Sequence, residues 1–161
     1  MKQVLERYSQ NQQTRLPAGT VLLAEGGKSG KLFVLADGSV EVLRRDTLVT
    51  VVNEPGAIFG EMSVLLDVPH TATVRTLEPS AVYVFDDAGA FMRSNPEIAT
   101  VIARSLAQRL NLVTTYLVDL KRQYAGQANH LGMVSDVLAS LVNQQRAEFI
   151  PGSDRQPGPG P

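Results

Sequence analysis

The chain has 161 residues, of which 43% are hydrophobic and 19% are charged, which suffices for one globular domain with a core and a smaller appendage. Its 15 basic and 16 acidic residues give a net charge of −1, which excludes an overall attraction to nucleic acid or anionic lipid. No cysteine is present, which excludes disulfides, thiolate metal sites and a cysteine nucleophile.

The N-terminal segment is polar for most of its length. It lacks the continuous apolar core of a signal peptide, and no later stretch approaches the roughly 18 apolar residues of a membrane helix. We therefore expect a soluble, cytoplasmic protein. Residues 2–10 are predicted to form a short helix, and residues 15–20 a turn.

Six short segments follow that are rich in Val, Leu, Phe and Thr and are separated by Gly, Pro, Asp or Asn. This composition is typical of the strands of a sandwich or barrel. Asp37-Gly38 predicts a tight hairpin between the second and third segments. The six predicted strands are residues 21–24, 31–36, 39–44, 48–53, 73–76 and 81–86.

Two other patterns are excluded as sites. Residues 26–29 (GGKS) end like a nucleoside-triphosphate loop, but that motif requires a glycine five positions before Gly27, where the chain has Leu22. His70 and His130 have no carboxylate or cysteine at a metal-ligand spacing nearby, so no metal site is predicted. No nucleophile, base and orienting group converge in the sequence, so we expect no enzyme activity.

The most informative motif is residues 59–66, which read FGEMSVLL and are followed by PHTATV at residues 69–74. Gly60 would let the backbone N–H groups at the start of a short helix approach an anion, because those N–H groups lack intrahelical acceptors and the helix dipole attracts negative charge. A carboxylate beside them would repel phosphate, so Glu61 is expected to accept hydrogen bonds from a neighbouring sugar hydroxyl. Together Gly60 and Glu61 suggest a nucleotide ligand.

The full run FGEMSVLLDVPHTATVRT resembles the phosphate-binding cassette of the cyclic nucleotide-binding domain family, and the resemblance spans residues 10 to about 145. It implies an α+β fold, in which a jelly-roll-like antiparallel β-roll of about eight strands is flanked by an N-terminal helix and long C-terminal helices. It also implies cyclic AMP, and less favourably cyclic GMP, as the ligand, with no other cofactor.

The resemblance further implies a set of ligand contacts. The backbone N–H groups of four residues would face the phosphate, the Glu61 carboxylate would bind the ribose 2′-hydroxyl, and two side chains would complete the phosphate shell. Two positions on the long helix would face the base, where valine offers no hydrogen bond. The phosphate donors are Gly60, Glu61, Met62 and Ser63, the side chains are His70 and Thr71, and the base positions are Val113 and Thr114.

His70 departs from the family pattern, in which an arginine at this place usually pairs with the exocyclic phosphate oxygens. Histidine, with an ordinary pKa of about 6.5, is mostly neutral at pH 7 and offers at most two donors. Losing a charge-assisted hydrogen bond costs roughly 1.5 to 3 kcal/mol, about tenfold to a hundredfold in affinity. If His70 acts as a conditional charge, binding should strengthen as the pH falls from about 8 to about 5.5.

A long helix is predicted from Asn95-Pro96-Glu97, with asparagine as the N-cap, to about Tyr124. Apolar residues on one stripe alternate at intervals of four and three, which is typical of a helix that pairs with another helix. The stripe could instead pack on the chain's own barrel, although off-stripe residues Val101, Ile102 and Leu112 are also available for that contact. Bacterial members of the family dimerise through this helix, so we expect a parallel homodimer. The stripe is Leu106, Leu110, Val113, Leu117, Leu120 and Tyr124.

Residues 123–129 contain Gly126 and are predicted to form a hinge, followed by an amphipathic helix that ends near Ala147. This divides the chain into a ligand-binding domain with its dimerisation helix (1–125), a hinge with an additional helix (126–149) and a flexible Pro/Gly-rich tail (150–161). In bacterial catabolite-activator-like (Crp/Fnr) regulators, the additional helix opens a winged helix-turn-helix. The remainder of that domain is absent here, so we do not expect this chain alone to read DNA sequence.

Three functions are consistent with these features. The first is a non-enzymatic, dimeric cyclic nucleotide sensor whose ligand-induced change is relayed through the C-terminal helices to an unknown partner. The second is a degenerate domain that has lost nucleotide binding and serves as a dimeric protein-interaction scaffold, which His70 favours and Glu61 opposes. The third is a pocket for another nucleotide or an organic anion.

Overall fold

The computed structural model describes residues 13–123 together with Val134, Val137 and Leu138. Within that part of the chain, eight short strands precede most of the helical residues. The strands are β1 (Thr14–Leu16), β2 (Val21–Leu23), β3 (Leu32–Asp37), β4 (Val40–Arg44), β5 (Thr47–Val52), β6 (Ile58–Phe59), β7 (Thr73–Thr76) and β8 (Ser80–Phe85). The helices of the continuous range are α1 (Glu61–Leu66), α2 (Ala88–Ser94) and α3 (Pro96–Gln123).

The strands form two four-stranded antiparallel sheets, ordered β1-β8-β3-β6 and β2-β7-β4-β5. One hydrophobic core takes side chains from both sheets, which therefore pack face to face. Leu35 and Val82 from the first sheet and Val40 from the second are fully buried. Removing each such side chain from water contributes about 1.5 to 3 kcal/mol. The predicted α+β fold with a jelly-roll-like β-roll is confirmed.

Each of the six predicted strands has an observed counterpart whose ends differ by at most one residue. Residues 15 and 16, which were predicted to lie in a turn, belong to β1 instead. Strand β1 pairs with β8 in the register Thr14↔Val82 and Leu16↔Ser80. A strand of three residues is too short to show an alternating pattern, so its pairing with a distant strand defines it.

The predicted hairpin at Asp37-Gly38 is wrong, because the strands that this turn connects lie in different sheets. Gly38 has φ +90°, and a Cβ there would overlap the side chain of Ser80. The chain therefore turns from one sheet to the other at a position that only glycine can occupy. The true two-residue hairpin joins β4 to β5 through Arg45 and Asp46, with φ 50° and 60°. Two positive φ angles are typical of a type I′ turn.

Helix α3 begins at Pro96, as predicted, whereas α2 was not predicted. The Asp87 carboxylate caps α2 by accepting a hydrogen bond from the Ala90 N–H at 2.8 Å. Asn95 stands between the two helices, and its side-chain amide donates to the Phe91 carbonyl at 2.8 Å. It therefore holds the corner between α2 and α3.

The chain divides into two compact units with the boundary between Arg104 and Ser105, inside α3. In the first unit, Ile98 and Ile102 of α3 are each only 2% exposed. Leu112 lies in the second unit and is 71% exposed, and its contact with the barrel stays a prediction.

The predicted dimerisation stripe of α3 is only partly covered. Leu110 and Val113 are exposed, while Leu106, Leu117 and Leu120 are partly buried. Tyr124, residues 2–10, Gly126 with most of the predicted hinge, most of the additional helix and the tail lie outside the described residues. None of the described helices is long and apolar enough to cross a membrane.

Candidate functional site

The backbone at Gly60 shapes the entry to α1. Gly60 is the N-cap residue, with φ 96° and ψ −9°, and no side chain caps the helix. A Cβ at Gly60 would overlap the Lys31 carbonyl oxygen, so only glycine lets the chain pass this close to the start of β3. The first intrahelical bond is donated by the Val64 N–H to the Gly60 carbonyl at 3.2 Å. The N–H groups that precede Val64 have no intrahelical acceptor, which is typical of helix starts where anions bind.

Glu61 lies at the first position of α1 and is only 6% exposed, whereas the next residue, Met62, is 42% exposed. The Glu61 residue makes polar or electrostatic interactions within the protein. A carboxylate buried to this extent needs such partners, because desolvation of an unpaired charge is costly. Glu61 is therefore a buried acidic residue at the helix start, next to the N–H groups that lack an intrahelical acceptor.

The Ser63 side chain forms a hydrogen bond just beyond the C-terminal end of α1. Its hydroxyl donates to the Val68 carbonyl at 2.6 Å, and its carbonyl accepts from the Val68 N–H at 3.2 Å. Asp67 ends the helix in a left-handed conformation with φ 54°. The Ser63 side chain is thus engaged within the protein, and contact of its backbone N–H with a ligand stays a prediction.

The loop between β2 and β3, residues 24–31, holds the cassette at its C-terminal end. The Gly26 N–H donates to the His70 carbonyl at 2.8 Å, and the His70 N–H donates to the Gly27 carbonyl at 2.7 Å. Lys28 pairs with Asp67, with 2.6 Å between Nζ and Oδ1, and lowers the pKa of that carboxyl through a hydrogen bond and its charge. Since Gly60 abuts Lys31, the 24–31 loop contacts both ends of the cassette. The sequence identified residues 26–29 only as an incomplete motif and missed this role.

The His70 imidazole faces the same loop and is 5% exposed. Its Nε2 lies 3.2 Å from the Ser29 backbone nitrogen and 2.9 Å from the Ser29 hydroxyl. A backbone N–H can only donate, so Nε2 accepts and the ring is neutral, with its proton on Nδ1. Burial lowers the pKa of His70 below 6.5. This direction is opposite to the one that a conditional positive charge near pH 7 requires.

Protonation of His70 should destabilise the fold in acid. Because its folded-state pKa is below 6.5, the unfolded chain binds the proton more readily, and stability that is present above pH 6.5 is lost as the pH falls through the folded-state pKa. We expect urea unfolding between about pH 8 and about pH 5 to show a steeper loss of unfolding free energy in the parent than in His70→Gln, which has no titrating group at this position. Parallel curves for the two proteins would contradict this assignment.

Three predicted contact residues lie apart from these interactions. Thr71 is exposed, and its side chain has no hydrogen-bond partner among residues 13–123. Val113 is 49% exposed and lies on α3 in the second unit. The Thr114 hydroxyl donates to the Leu110 carbonyl of its own helix at 2.8 Å. Contact of Val113 and Thr114 with a base stays a prediction.

The described residues of the cassette belong to no cluster of metal-ligating side chains. Within the described part of the chain, no group of three or more His, Asp or Glu side chains is arranged to hold a metal ion. The cassette combines a helix start without a side-chain cap, the buried Glu61 and the neutral His70. Such an arrangement can bind an anion that carries a neighbouring hydroxyl group.

Comparison with known proteins gives a consistent result. The sequence model of the cyclic nucleotide-binding domain matches residues 13–90. The CRP-like cAMP-activated global transcriptional regulator of Mycobacterium tuberculosis is 32% identical over 118 residues, which cover 69% of this chain and 52% of that protein. The acetyltransferase Pat of Mycolicibacterium smegmatis is 37% identical over 95 residues, which cover 58% of this chain and 26% of that protein.

Among solved structures, the catabolite activator protein of Thermus thermophilus matches with a TM-score of 0.61 and 26% identity. The match covers 74% of this chain and 59% of that one. The chain thus spans about half the length of the mycobacterial regulator and a smaller share of the acetyltransferase. The range matched by the family model, residues 13–90, contains the eight strands and the cassette of the present chain.

Proposed function

Because residues 13–90 belong to the cyclic nucleotide-binding domain family, we propose that this chain is a non-enzymatic sensor of a cyclic nucleotide, with cyclic AMP as its preferred ligand. The observation that carries the proposal is the pairing of a bare helix start at Gly60 with the buried carboxylate of Glu61. The preference for cyclic AMP draws on the mycobacterial relative, whose name describes it as cAMP-activated.

The phosphate and the ribose of a cyclic nucleotide each have a counterpart in the cassette. The N–H groups from Gly60 to Ser63 bind the phosphate, since they are oriented donors at the positive end of a helix dipole. The Glu61 carboxylate accepts the ribose 2′-hydroxyl, which a sugar lacking that hydroxyl cannot offer. The exposed Thr71 hydroxyl and His70 complete the phosphate contacts.

Replacing the Glu61 carboxylate should weaken binding strongly. A hydrogen bond to a charged group contributes about 1.5 to 3 kcal/mol, so Glu61→Ala is expected to lose about tenfold to a hundredfold in affinity for cyclic AMP. Titration calorimetry of the parent and the variant, with cyclic GMP and 2′-deoxy cyclic AMP beside cyclic AMP, measures this. The 2′-deoxy ligand should bind the parent more weakly than cyclic AMP and should bind Glu61→Ala about as weakly as cyclic AMP does.

Met62→Ala is the matched control, because Met62 is exposed and contributes only its backbone N–H. Its affinity should stay within about twofold of the parent, well inside the effect of one hydrogen bond. Thermal unfolding of all three proteins establishes that each is folded. If the folded parent shows no heat of binding with cyclic AMP or with cyclic GMP, the proposal is overturned. The interaction-scaffold hypothesis would then replace it.

We propose in addition that the sensor is a homodimer joined along α3 and that ligand binding shifts the arrangement of the C-terminal helices. The support is the apolar stripe of α3, on which Leu110 and Val113 are 46% and 49% exposed. Large apolar side chains exposed at coiled-coil spacing are typical of a helix that pairs with another.

A further inference from the structure

Among the residues that the structure describes, those that hydrogen-bond to the His70 ring lie along one of its edges. The Nε2–Cδ2 edge faces the 24–31 loop, where Nε2 meets the backbone N–H and hydroxyl of Ser29. The Ser29 hydroxyl oxygen itself accepts from the Lys31 N–H at 3.3 Å, which leaves its proton free to donate to Nε2. A Cβ built at Gly27 would lie 3.8 Å from Cδ2, so the loop backbone runs directly along this edge. Both Ser29 groups therefore act as donors, and both require an unprotonated Nε2.

The opposite edge of the ring carries the proton. Nδ1 has no hydrogen-bond partner among the described residues, although every fully buried polar side-chain atom there has one. Nδ1 therefore keeps some solvent-accessible surface, although the His70 residue as a whole is only 5% exposed. The position that follows Pro69 thus carries one neutral N–H donor that has no partner in the described part of the chain.

The charged groups on the segments that hold His70 are compensated by their own partners. Lys28 pairs with Asp67, and Lys31 pairs with Asp86 at 2.7 Å. The remaining group is Glu25, whose carboxylate accepts from the Arg45 backbone N–H at 2.8 Å. Burial is the cause that lowers the pKa of His70, and it keeps the ring neutral at pH 7.

We propose that Ser29 is a positioning residue that fixes the tautomer of His70, so that a neutral Nδ1–H donates to an exocyclic phosphate oxygen of the ligand. This inference rests on the proposed function, since it takes the ligand to be a cyclic nucleotide. It assigns a different kind of contact from the charged guanidinium that the family pattern implies here. It also makes the contact insensitive to pH above the ordinary pKa of histidine, about 6.5.

Substitution of His70 by asparagine or glutamine tests the roles of Nδ1 and Nε2 separately. The asparagine amide can place an N–H near Nδ1 but is too short to reach Ser29, whereas glutamine can accept from Ser29 and places no donor near Nδ1. We expect His70→Asn to bind cyclic AMP within about threefold of the parent and His70→Gln to lose about tenfold. The order of thermal stability should be the reverse, with His70→Gln the more stable variant. Equal affinities, or a loss confined to His70→Asn, would overturn the proposal.

The role of Ser29 has its own readout in the ligand-free protein. Nitrogen-15 NMR distinguishes the two imidazole tautomers, and His130→Gln identifies the His70 signals because the chain has 2 histidines. The parent should show a protonated Nδ1, Ser29→Ala a mixture of tautomers with weaker cyclic AMP binding, and Ser29→Thr the parent pattern with parent affinity. A protonated Nε2 in the parent overturns the proposal whatever the ligand. A parent with the expected tautomer that binds no cyclic nucleotide overturns the proposed function and with it the donor role, but not the fixation of the ring by Ser29.

Discussion

Gly60→Ala should lower the free energy of unfolding by about 2 to 6 kcal/mol and abolish cyclic nucleotide binding. Two physical terms add at this residue. The φ angle of 96° is strained for any residue with a side chain, which costs about 1 to 3 kcal/mol. The added methyl group would also overlap the Lys31 carbonyl oxygen, and relief of such a contact by shifting the backbone costs about 1 to 3 kcal/mol more. That shift would displace the first turn of α1, whose N–H groups are proposed to bind the phosphate. Urea unfolding and calorimetry with cyclic AMP measure the two effects.

Gly19→Ala provides the matched control. Gly19 has a similar φ of +80°, but a Cβ there would meet no atom within 4 Å. Gly19→Ala therefore adds the strain without the overlap and should lose only about 1 to 3 kcal/mol, with cyclic AMP affinity unchanged. If Gly60→Ala and Gly19→Ala lose the same unfolding free energy, the close contact between Gly60 and the Lys31 carbonyl does not constrain the cassette.

The sequence predicted those parts of the fold that local patterns determine. Strands β3, β4, β5 and β8 are five or six residues long, so their composition and the turns between them are visible without any knowledge of their partners. Strands β1 and β6 have three and two residues, and each is defined by pairing with a distant strand. The turn at Gly38 was located correctly but assigned to a hairpin, because sheet membership depends on contacts that no local pattern encodes.

The same distinction applies to the site. Gly60 and Glu61 are adjacent in sequence, so they could be recognised as a short motif. In it a glycine lets the backbone approach an anion, and the next residue supplies a carboxylate. The environment of His70 was not, since its partner Ser29 lies 41 positions away and acts partly through its backbone N–H. The sequence showed only that a histidine replaces an arginine. Which ring nitrogen accepts, and hence which one can donate to a ligand, required the folded loop.

The proposed dimer depends on a stripe of α3 that local periodicity predicts and whose residues Leu110 and Val113 are exposed. Leu112 is more exposed than Val113, so exposure alone does not select the interface. Spacing does, because the stripe through Leu112 also contains Arg109 and Asp119, which are charged, whereas the stripe through Val113 is apolar throughout. Two helices that pair along the apolar stripe would keep Leu112 at the edge of the contact or outside it.

Val113→Glu and Leu117→Glu should each convert the dimer into a monomer, as measured by light scattering over a range of protein concentrations. In a parallel pair each substitution places two carboxylates opposite one another in an apolar contact. Leaving unpaired charges buried costs at least about 3 kcal/mol, which raises the dimer dissociation constant more than about a hundredfold. Leu112→Glu is the matched control, since it adds the same charge one residue away, on the charged stripe, and should remain dimeric. A monomeric parent would refute the dimer itself. Dissociation by Leu112→Glu alone would move the interface to the other stripe, because the charge and the helix are the same in all three variants and only the direction of the side chain differs.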